Sequence, residues 1–178
     1  MKKGICITIN GYAGAGKSTI AKKIHNIVQE KIGRTVLLDG DNIRKIINNL
    51  GYNYGYTKEE RTKKVFPEIL ILKLFLTNNI NVIYPTIGLN QKADNLLKKE
   101  IDNLIQIIIK CSIKKIIKLG KKDKVYVRAK KNIVGLDIKA DFPKNPNIVI
   151  ENKLNGKMEA LKKNLIKKLI PILEKNIN

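Results

Sequence analysis

Residues 4–18 read GICITINGYAGAGKS, and this stretch decides the fold of the chain. Its first half, Gly4–Asn10, is rich in Ile and predicts a short buried strand. Its second half, Gly11–Ser18, matches the pattern GxxxxGK[ST] and runs into a helical pattern over Lys17–Ile32. A strand, a glycine-rich turn and a helix in this order form the context that a phosphate-binding P-loop requires.

The chemistry of this loop follows from its backbone. Amide N–H groups at a helix N-terminus point towards a bound anion, and glycines let the backbone approach it closely. Lys17 is predicted to reach the β- and γ-phosphates, and the hydroxyl of Ser18 to ligate Mg²⁺. The alternative is a glycine-rich turn without a ligand. The predicted ATP-binding residues are Gly11, Ala13, Gly14, Ala15, Gly16, Lys17, Ser18 and Thr19.

The rest of the chain alternates strands with helices. The predicted strands span residues 4–10, 35–38, 81–84, 104–109 and 148–150, with Pro85 ending the third. The predicted helices span 17–32, 42–50, 58–77, 93–103, 113–119 and 157–175. This alternation predicts one domain over residues 1–178, a three-layer α/β/α fold of the P-loop kinase type with a five-stranded parallel sheet.

Residues 120–146 form a long polar segment with a cluster of lysines. Such a stretch is unusual inside a compact domain, and it is typical either of an active-site lid or of a mobile surface loop. The residues of this segment do not distinguish a lid from a surface loop, so both interpretations stay open.

The composition narrows the class of protein. The chain has 178 residues and a net charge of +21, with lysines spread along its whole length and few aromatic residues. A polynucleotide site is not favoured, since no stacking platform accompanies the charge, but anionic substrates should be attracted. Two separated cysteines imply no disulfide framework, and no apolar run is long enough to span a bilayer. We therefore expect a cytoplasmic protein.

A second constellation follows the second predicted strand. Asp39 and Asp41 come directly after it, where the carboxyl ends of parallel strands place ligands. Two carboxylates beside a P-loop can orient a substrate hydroxyl, accept its proton and help to position Mg²⁺. Alternatively, Asp41 only caps the helix that begins near Asn42. The residues alone leave these two roles open.

At this point the sequence resembles the adenylylsulfate (APS) kinase family. The resemblance runs through the P-loop, LDGDNIR at 38–44, LGY at 50–52, EER at 59–61 and KNPNIVIEN at 144–152. VYVRAK at 125–130 and GLDI at 135–138 resemble the lid of that family. It implies transfer of the γ-phosphate of Mg-ATP to the 3′-hydroxyl of a nucleotide, and it implies a homodimer.

The resemblance also implies roles for individual residues. Asp41 would accept the hydroxyl proton and act as a catalytic residue together with Lys17. Arg44 and Arg61 would grip the phosphate of the acceptor, Tyr52 would stack on its base, and residues 120–146 would close over both nucleotides. The acceptor-binding set implied in this way is Asp39, Asp41, Arg44, Tyr52, Arg61, Lys64, Pro85, Thr86, Ile87, Lys130 and Ile133.

Several positions depart from the family pattern. Lys64 stands where the family has Asn, and Tyr84-Pro85-Thr86-Ile87 replaces Ser-Pro-aromatic-Arg. The second base-stacking Phe corresponds to an aliphatic residue near Ile133. A lost guanidinium is not reproduced by a distant lysine. The resemblance therefore implies an acceptor that is either adenylyl sulfate or a cytidine nucleotide such as cytidine diphosphoramidate, whose kinase serves capsule modification in bacteria.

Three other classes compete with this interpretation. A polynucleotide kinase or nucleic-acid-binding protein would use the positive charge, and its binding would fall steeply with salt. A regulatory domain would bind ATP without transferring phosphate, which the spacing of Asp41, Arg44 and Arg61 disfavours. A kinase for a sugar or an antibiotic could use the same fold with a different acceptor pocket.

Overall fold

The computed structural model describes residues 3–127 and 131–177. Its five strands are β1 (Cys6–Asn10), β2 (Thr35–Leu37), β3 (Asn81–Thr86), β4 (Leu104–Lys110) and β5 (Ile148–Glu151). Its helices are α1 (Lys17–Ile32), α2 (Gly40–Asn49), α3 (Lys58–Thr77), α4 (Gln91–Glu100), α5 (Ile113–Lys118), α6 (Asp123–Tyr126) and α7 (Met158–Ile177). The predicted alternation of strands and helices is confirmed, while the short helix α6 lies in a segment that the sequence presented as irregular.

All five strands run parallel in the order β2-β3-β1-β4-β5. The sheet therefore places β1 at its centre, and the loop that follows β1 opens at the carboxyl edge. Ligands of open parallel sheets bind at that edge. The predicted three-layer α/β/α fold is confirmed.

The two faces of β1 bury different side chains. Ile5, Ile7 and Ile9 point into a cluster formed with α1 and α7. Cys6 points the other way, into a cluster formed with α2, α3 and α4. Side chains of a strand alternate between faces, so both faces of this sheet are covered by helices. Thr8 and Asn10 share the face of Cys6, and both are buried.

The prediction that Pro85 ends the third strand is wrong. β3 continues through Pro85 to Thr86, with Pro85 opposite Ile9 of β1. Proline cannot donate a ladder hydrogen bond, so it is tolerated where a strand has lost one neighbour. β2 pairs with β3 only as far as Leu37 opposite Ile83, which leaves that side of β3 unpaired at Pro85.

Two local signals set the helix starts beside the site. Thr57 and Glu60 form a reciprocal capping box that begins α3. Asp39 caps α2, because its carboxylate accepts a hydrogen bond from the backbone N–H of Asp41 at 3.0 Å. None of the helices within the described ranges is long and apolar enough to cross a membrane.

Candidate active site

A cavity of about 1040 Å³ opens at the carboxyl edge of the sheet. It is bounded by the P-loop, the start of α2, α3, the end of β3, residues 121, 122, 125 and 126, and residues 131–134. The cavity brings together these predicted site residues: Ala13, Gly14, Gly16, Lys17, Ser18, Thr19, Asp39, Asp41, Arg44, Arg61, Lys64, Pro85, Thr86, Ile87 and Ile133. Gly11 and Ala15 are buried within the loop itself.

The P-loop depends on two glycines in the left-handed region. Gly14 has φ 79°, and Gly16, which caps α1, has φ 94°. A Cβ atom on Gly14 would lie 2.9 Å from the side chain of Ile116. Only glycine therefore fits both the backbone angle and the space at this position.

Two side chains outside the motif hold the P-loop by hydrogen bonds to its backbone carbonyls. Asn152 donates from Nδ2 to the carbonyl of Ala15 at 2.9 Å, and Tyr126 donates from its hydroxyl to the carbonyl of Ala13 at 3.0 Å. The sequence did not single out either residue. The position of Asn152 directly after a buried parallel strand was the available signal, because such positions face the ligand edge.

Lys17 lines the cavity, and its side chain folds back over the P-loop. Its Nζ donates to the carbonyl of Tyr12 at 2.9 Å. Burial lowers the pKa of Lys17 to about 8, against the opposing effect of the nearby carboxylates of Asp41 and Asp39. A partly desolvated ammonium beside a phosphate-binding loop is suited to contact phosphate oxygens, since the anion would restore the interactions that burial removes.

Ser18 and Asp39 form the oxygen-rich part of the site. The Ser18 hydroxyl donates to Oδ2 of Asp39 at 2.6 Å. Mg²⁺ takes few protein oxygens and keeps several waters beside substrate phosphates. These two side chains fit such an ion, and the described residues hold no cluster of three or more His, Cys, Asp or Glu that would bind a metal by themselves.

Asp41 does not cap α2, which was the second role that the sequence left open for it. The cap is Asp39, whereas Asp41 stands in the first turn of α2 and is exposed to the cavity. Its carboxylate raises the pKa of Lys17, against the effect of burial, and both side chains line the same cavity. Asp41 is thus positioned to contact a hydroxyl placed near the terminal phosphate.

Arg44 and Arg61 converge on one aromatic ring. The guanidinium carbon of Arg44 lies 4.5 Å from the ring centre of Tyr56, and that of Arg61 lies 5.3 Å from it. Arg44 also donates to the carbonyls of Tyr54 and Gly55 at 2.9 and 3.0 Å. These contacts orient the two cations in the cavity wall. Tyr56 was not predicted, although two aromatic residues precede it closely in the sequence.

Arg61 also connects α3 with the predicted lid. It donates from Nε to the carbonyl of Tyr56 at 2.8 Å and from Nη2 to the carbonyl of Asn132 at 3.2 Å. Burial lowers the pKa of Arg61, and the neighbouring cation Arg44 lowers it further. Two adjacent guanidinium groups favour an anion between or beside them.

Lys64 has a buried partner that the sequence analysis did not assign. It forms an ion pair with Glu68, one helical turn later in α3, and both side chains are buried. Burial lowers the pKa of Lys64, while Glu68 opposes the decrease. The spacing of four residues on a helix was the signal that could have predicted this pair.

Tyr52 is not brought into the cavity. It is 59% exposed and stacks on Tyr54, with ring centres 6.2 Å apart. The aromatic side chain that lines the cavity from this loop is Tyr56. Ile133 also lines the cavity and is buried. The predicted acceptor contact Lys130 lies outside the described residues.

The second half of the predicted lid contacts the P-loop and α3. Phe142 packs edge-on against Tyr12, with ring centres 5.6 Å apart. Asp141 forms an ion pair with Lys58 at 2.9 Å. Gly135 lies so close to Tyr12 that a Cβ atom would come within 2.7 Å of its ring. The stretch between Gly135 and Phe142 is therefore tied to the P-loop through Tyr12 and to the start of α3 through Lys58.

The fold and the site together define an ATP-dependent P-loop kinase. The sequence matches the family model for adenylylsulphate kinase over residues 3–151, and the chain belongs to that family. Members of this family are phosphotransferases that use Mg-ATP. As a member of the family, this chain is an ATP-dependent phosphotransferase.

Two curated relatives illustrate the range of acceptors. The cytidine diphosphoramidate kinase of Campylobacter jejuni is 28% identical, over 92% of this chain and 95% of its own length. The adenylyl-sulfate kinase of Clostridium acetobutylicum is 31% identical, over 84% of this chain and 76% of its own length. The solved Mycobacterium tuberculosis APS kinase in complex with AMPPNP and APS has a TM-score of 0.80, at 20% identity, and covers 95% of this chain and 99% of its own. This last likeness bears on the fold.

Proposed function

We propose that the chain transfers the γ-phosphate of Mg-ATP to the 3′-hydroxyl of a nucleotide, either adenylyl sulfate or a cytidine nucleotide such as cytidine diphosphoramidate. The observation that carries this proposal is the placement of Asp41. It lines the same cavity as Lys17, while the side chain of Asp39 caps the helix. Within residues 3–127 and 131–177 the Asp41 carboxylate makes no hydrogen bond or ion pair, so it is available to accept a proton from an attacking hydroxyl.

The division of the cavity supports this assignment. Lys17, Ser18 and Thr19 lie at the P-loop end, where the phosphates of ATP would bind. Arg44 and Arg61 line the same cavity from α2 and α3, and both guanidinium groups lie over the ring of Tyr56. A nucleotide whose 3′-hydroxyl faces Asp41 would then direct its 5′-phosphates towards the two guanidinium groups. Fixed guanidinium forks bind phosphate and sulfate oxygens in a bidentate manner.

Two acceptors remain in this proposal. The relatives include kinases named for adenylyl sulfate and one named for cytidine diphosphoramidate. The predicted stacking residue Tyr52 does not line the cavity, and the residue predicted at the second stacking position is the aliphatic Ile133. The base of the acceptor would therefore not be stacked between two aromatic rings. This is a reason to test a nucleotide with the smaller pyrimidine base as well as adenylyl sulfate. With a cytidine acceptor, the pathway we propose is capsule modification.

The acceptor is tested by ADP release from Mg-ATP in a panel of adenylyl sulfate, cytidine diphosphoramidate, other cytidine and adenosine nucleotides, and sugars. Strong turnover with adenylyl sulfate assigns the chain to sulfate assimilation. Turnover with a cytidine nucleotide and little with adenylyl sulfate would mean that the substitutions in the acceptor pocket changed its specificity to cytidine. Turnover with a sugar alone, or ATP binding without any turnover, contradicts the proposal.

We also propose that the enzyme acts in the cytoplasm as a homodimer. The support is membership of the kinase family. Light scattering at several protein concentrations measures the mass, for which a chain of 20.2 kDa predicts about twice that value in a dimer.

A further inference from the structure

A row of apolar side chains runs along the outer side of α3. Phe66, Leu70 and Leu74 are spaced by four residues, so they lie one turn apart on the same side of the helix. Each is more than half exposed, whereas Ile69 and Leu72 of the same helix are buried against the sheet. Single exposed apolar residues are ordinary, but three in a row on one helix are not. We call Phe66, Leu70 and Leu74 the α3 ridge.

A helix beside the α3 ridge exposes further apolar side chains. α3 packs against both α2 and α4 in the layer that covers this face of the sheet. Ile46 of α2 and Leu50, which ends it, are 53% and 69% exposed and are again spaced by four residues. Neither these two side chains nor the α3 ridge line the active-site cavity. The active site therefore does not explain them, and exposed apolar surface of this kind marks an interaction site.

Lysines accompany the apolar side chains on the same layer. The exposed lysines of α2, α3 and α4 are Lys45, Lys58, Lys63, Lys92, Lys98 and Lys99. Within residues 3–127 and 131–177, only Lys58 and Lys98 of this group have an ion-pair partner. The exposed carboxylates of the three helices are Glu59 and Asp41, and Asp41 lines the cavity. This layer therefore combines exposed apolar side chains with an excess of unpaired positive charge.

This combination complements an anionic lipid surface. Apolar side chains enter the boundary between headgroups and acyl chains, while lysine stems lie along the boundary and their ammonium groups reach the lipid phosphates. The net charge of +21 attracts the whole chain to such a surface. The α3 ridge then determines which face makes contact, because a face that carries only lysines has no apolar side chains to bury.

Other occupants fit this face less well. A stable contact between two copies of the chain buries about 800 Å² on each partner. Five partly exposed side chains supply less than this area, so a larger contact would bring Lys63 and its neighbouring lysines together with those of the second copy. Like charges facing each other across an interface oppose association. A nucleic acid would use the lysines through its phosphates and would leave the α3 ridge in water.

We propose that the outer face of α2, α3 and α4 docks reversibly on an anionic membrane surface. The α3 ridge enters the lipid, and the unpaired lysines of the three helices contact the headgroup phosphates. Because the ridge is short and the attraction is screened by salt, binding should weaken as the ionic strength rises. This inference concerns a surface outside the active-site cavity, and it does not depend on the proposed acceptor.

Co-sedimentation with vesicles of phosphatidylcholine, with and without about 30% phosphatidylglycerol, measures the docking. The wild type should bind the anionic vesicles and not the neutral ones. Phe66→Ser/Leu70→Ser should lower this binding by at least about tenfold, because the substituted side chains no longer enter the lipid. Leu119→Ser is the matched control, since Leu119 ends α5 and is 53% exposed, as Leu70 is, and this variant should bind as the wild type.

A second pair of variants separates the proposed face from the overall charge. Lys63→Gln should weaken binding by about fivefold. Lys167→Gln removes the same charge from α7, which covers the opposite face of the sheet, and should have a smaller effect. Equal losses in these two variants would show attraction by net charge alone and would overturn the docking face.

Fluorescence reports contact with the lipid directly, because the chain contains no tryptophan. The emission of Phe66→Trp should shift to shorter wavelength when anionic vesicles are added, since the ring leaves water. The emission of Leu119→Trp should stay unchanged. Urea unfolding confirms that each variant is folded, and this control does not require enzyme activity.

The remaining outcomes are equally decisive. A wild type that does not bind anionic vesicles, a serine variant that binds as well as the wild type, or an unshifted emission of Phe66→Trp overturns the proposal. If light scattering without lipid shows that Phe66→Ser/Leu70→Ser loses a dimer that the wild type forms, the face contacts a second copy and the proposal also fails. No acceptor enters these measurements, so their failure leaves the proposed kinase activity untouched, and the reverse also holds.

Discussion

The hydroxyl of Ser18 donates a 2.6 Å hydrogen bond to the carboxylate of Asp39, which joins the first turn of α1 to the cap of α2. The second oxygen of that carboxylate accepts the backbone N–H of Asp41. One side chain thus connects the phosphate loop with the helix that carries Asp41. The proposed base is therefore connected to the P-loop by this one hydrogen bond and the two peptide links between residues 39 and 41.

Asp41→Asn should lower turnover by about 10²–10⁴-fold, because an amide cannot accept the hydroxyl proton. ATP binding, measured by calorimetry, should change little, since the P-loop is intact. Asp102→Asn is the matched control, because Asp102 is exposed and pairs with Lys3 at the opposite edge of the sheet. Near-normal turnover of Asp41→Asn would show that another group accepts the proton.

Asp39→Ala and Asp39→Asn should differ in stability but not in activity. Alanine removes the cap of α2 and should cost about 0.5–2 kcal/mol in urea unfolding, whereas asparagine caps equally well. Both substitutions remove the charge beside Ser18, so both should raise the Mg²⁺ concentration needed for half-maximal rate. If Asp39→Asn keeps the wild-type Mg²⁺ requirement, the carboxylate has only a capping role.

ATP affinity should fall as the pH rises above about 8. Burial lowers the pKa of Lys17 to about 8 in the nucleotide-free protein, so Lys17 is charged below this pH and loses its proton above it. Bound phosphate favours the charged form of Lys17. Above pH 8, ATP binding must therefore be accompanied by proton uptake at Lys17, which lowers the affinity by up to about tenfold per pH unit.

Calorimetry in buffers of different ionisation enthalpy measures this proton uptake directly. Lys17→Met should abolish both the uptake and most of the affinity. Lys22→Met, at an exposed position of the same helix, should behave as the wild type. An affinity that stays constant between about pH 7 and 9.5 would contradict the lowered pKa of Lys17.

Lys64→Met should destabilise the protein by about 3–5 kcal/mol, because it leaves the buried carboxylate of Glu68 without its cation. The double variant Lys64→Met/Glu68→Leu should recover most of this loss, since no charge is then buried. Urea unfolding measures both. A single variant as stable as the wild type would mean that the pair is not buried in solution.

The sequence predicted the parallel sheet and the phosphate loop because both depend on local signals. Ile-rich strands alternate with helical periodicity, and the P-loop is a contiguous string whose context is readable from its neighbours. The error at Pro85 has a different origin. Whether a proline ends a strand depends on which neighbour is still paired at that level, and the early end of β2 cannot be read from β3.

The acceptor end of the site was less predictable. Tyr52 was assigned by its place in a motif, but the chain turns so that Tyr56 lines the cavity instead. The pairing of Asp94 with Gln106 joins residues from a helix and the following strand. Such contacts depend on the register between β1, β3 and β4, which no short motif encodes.

The most direct test of the central claim is to locate the transferred phosphate. The enzyme is incubated with Mg-ATP and the acceptor that gives the highest rate of ADP release, and the product is analysed by phosphorus NMR. The account predicts a new phosphate monoester on the 3′-hydroxyl, and a 3′-deoxy analogue that binds but is not phosphorylated. Phosphate on another position, or phosphorylation of the 3′-deoxy analogue at the same rate, would contradict transfer to the 3′-hydroxyl.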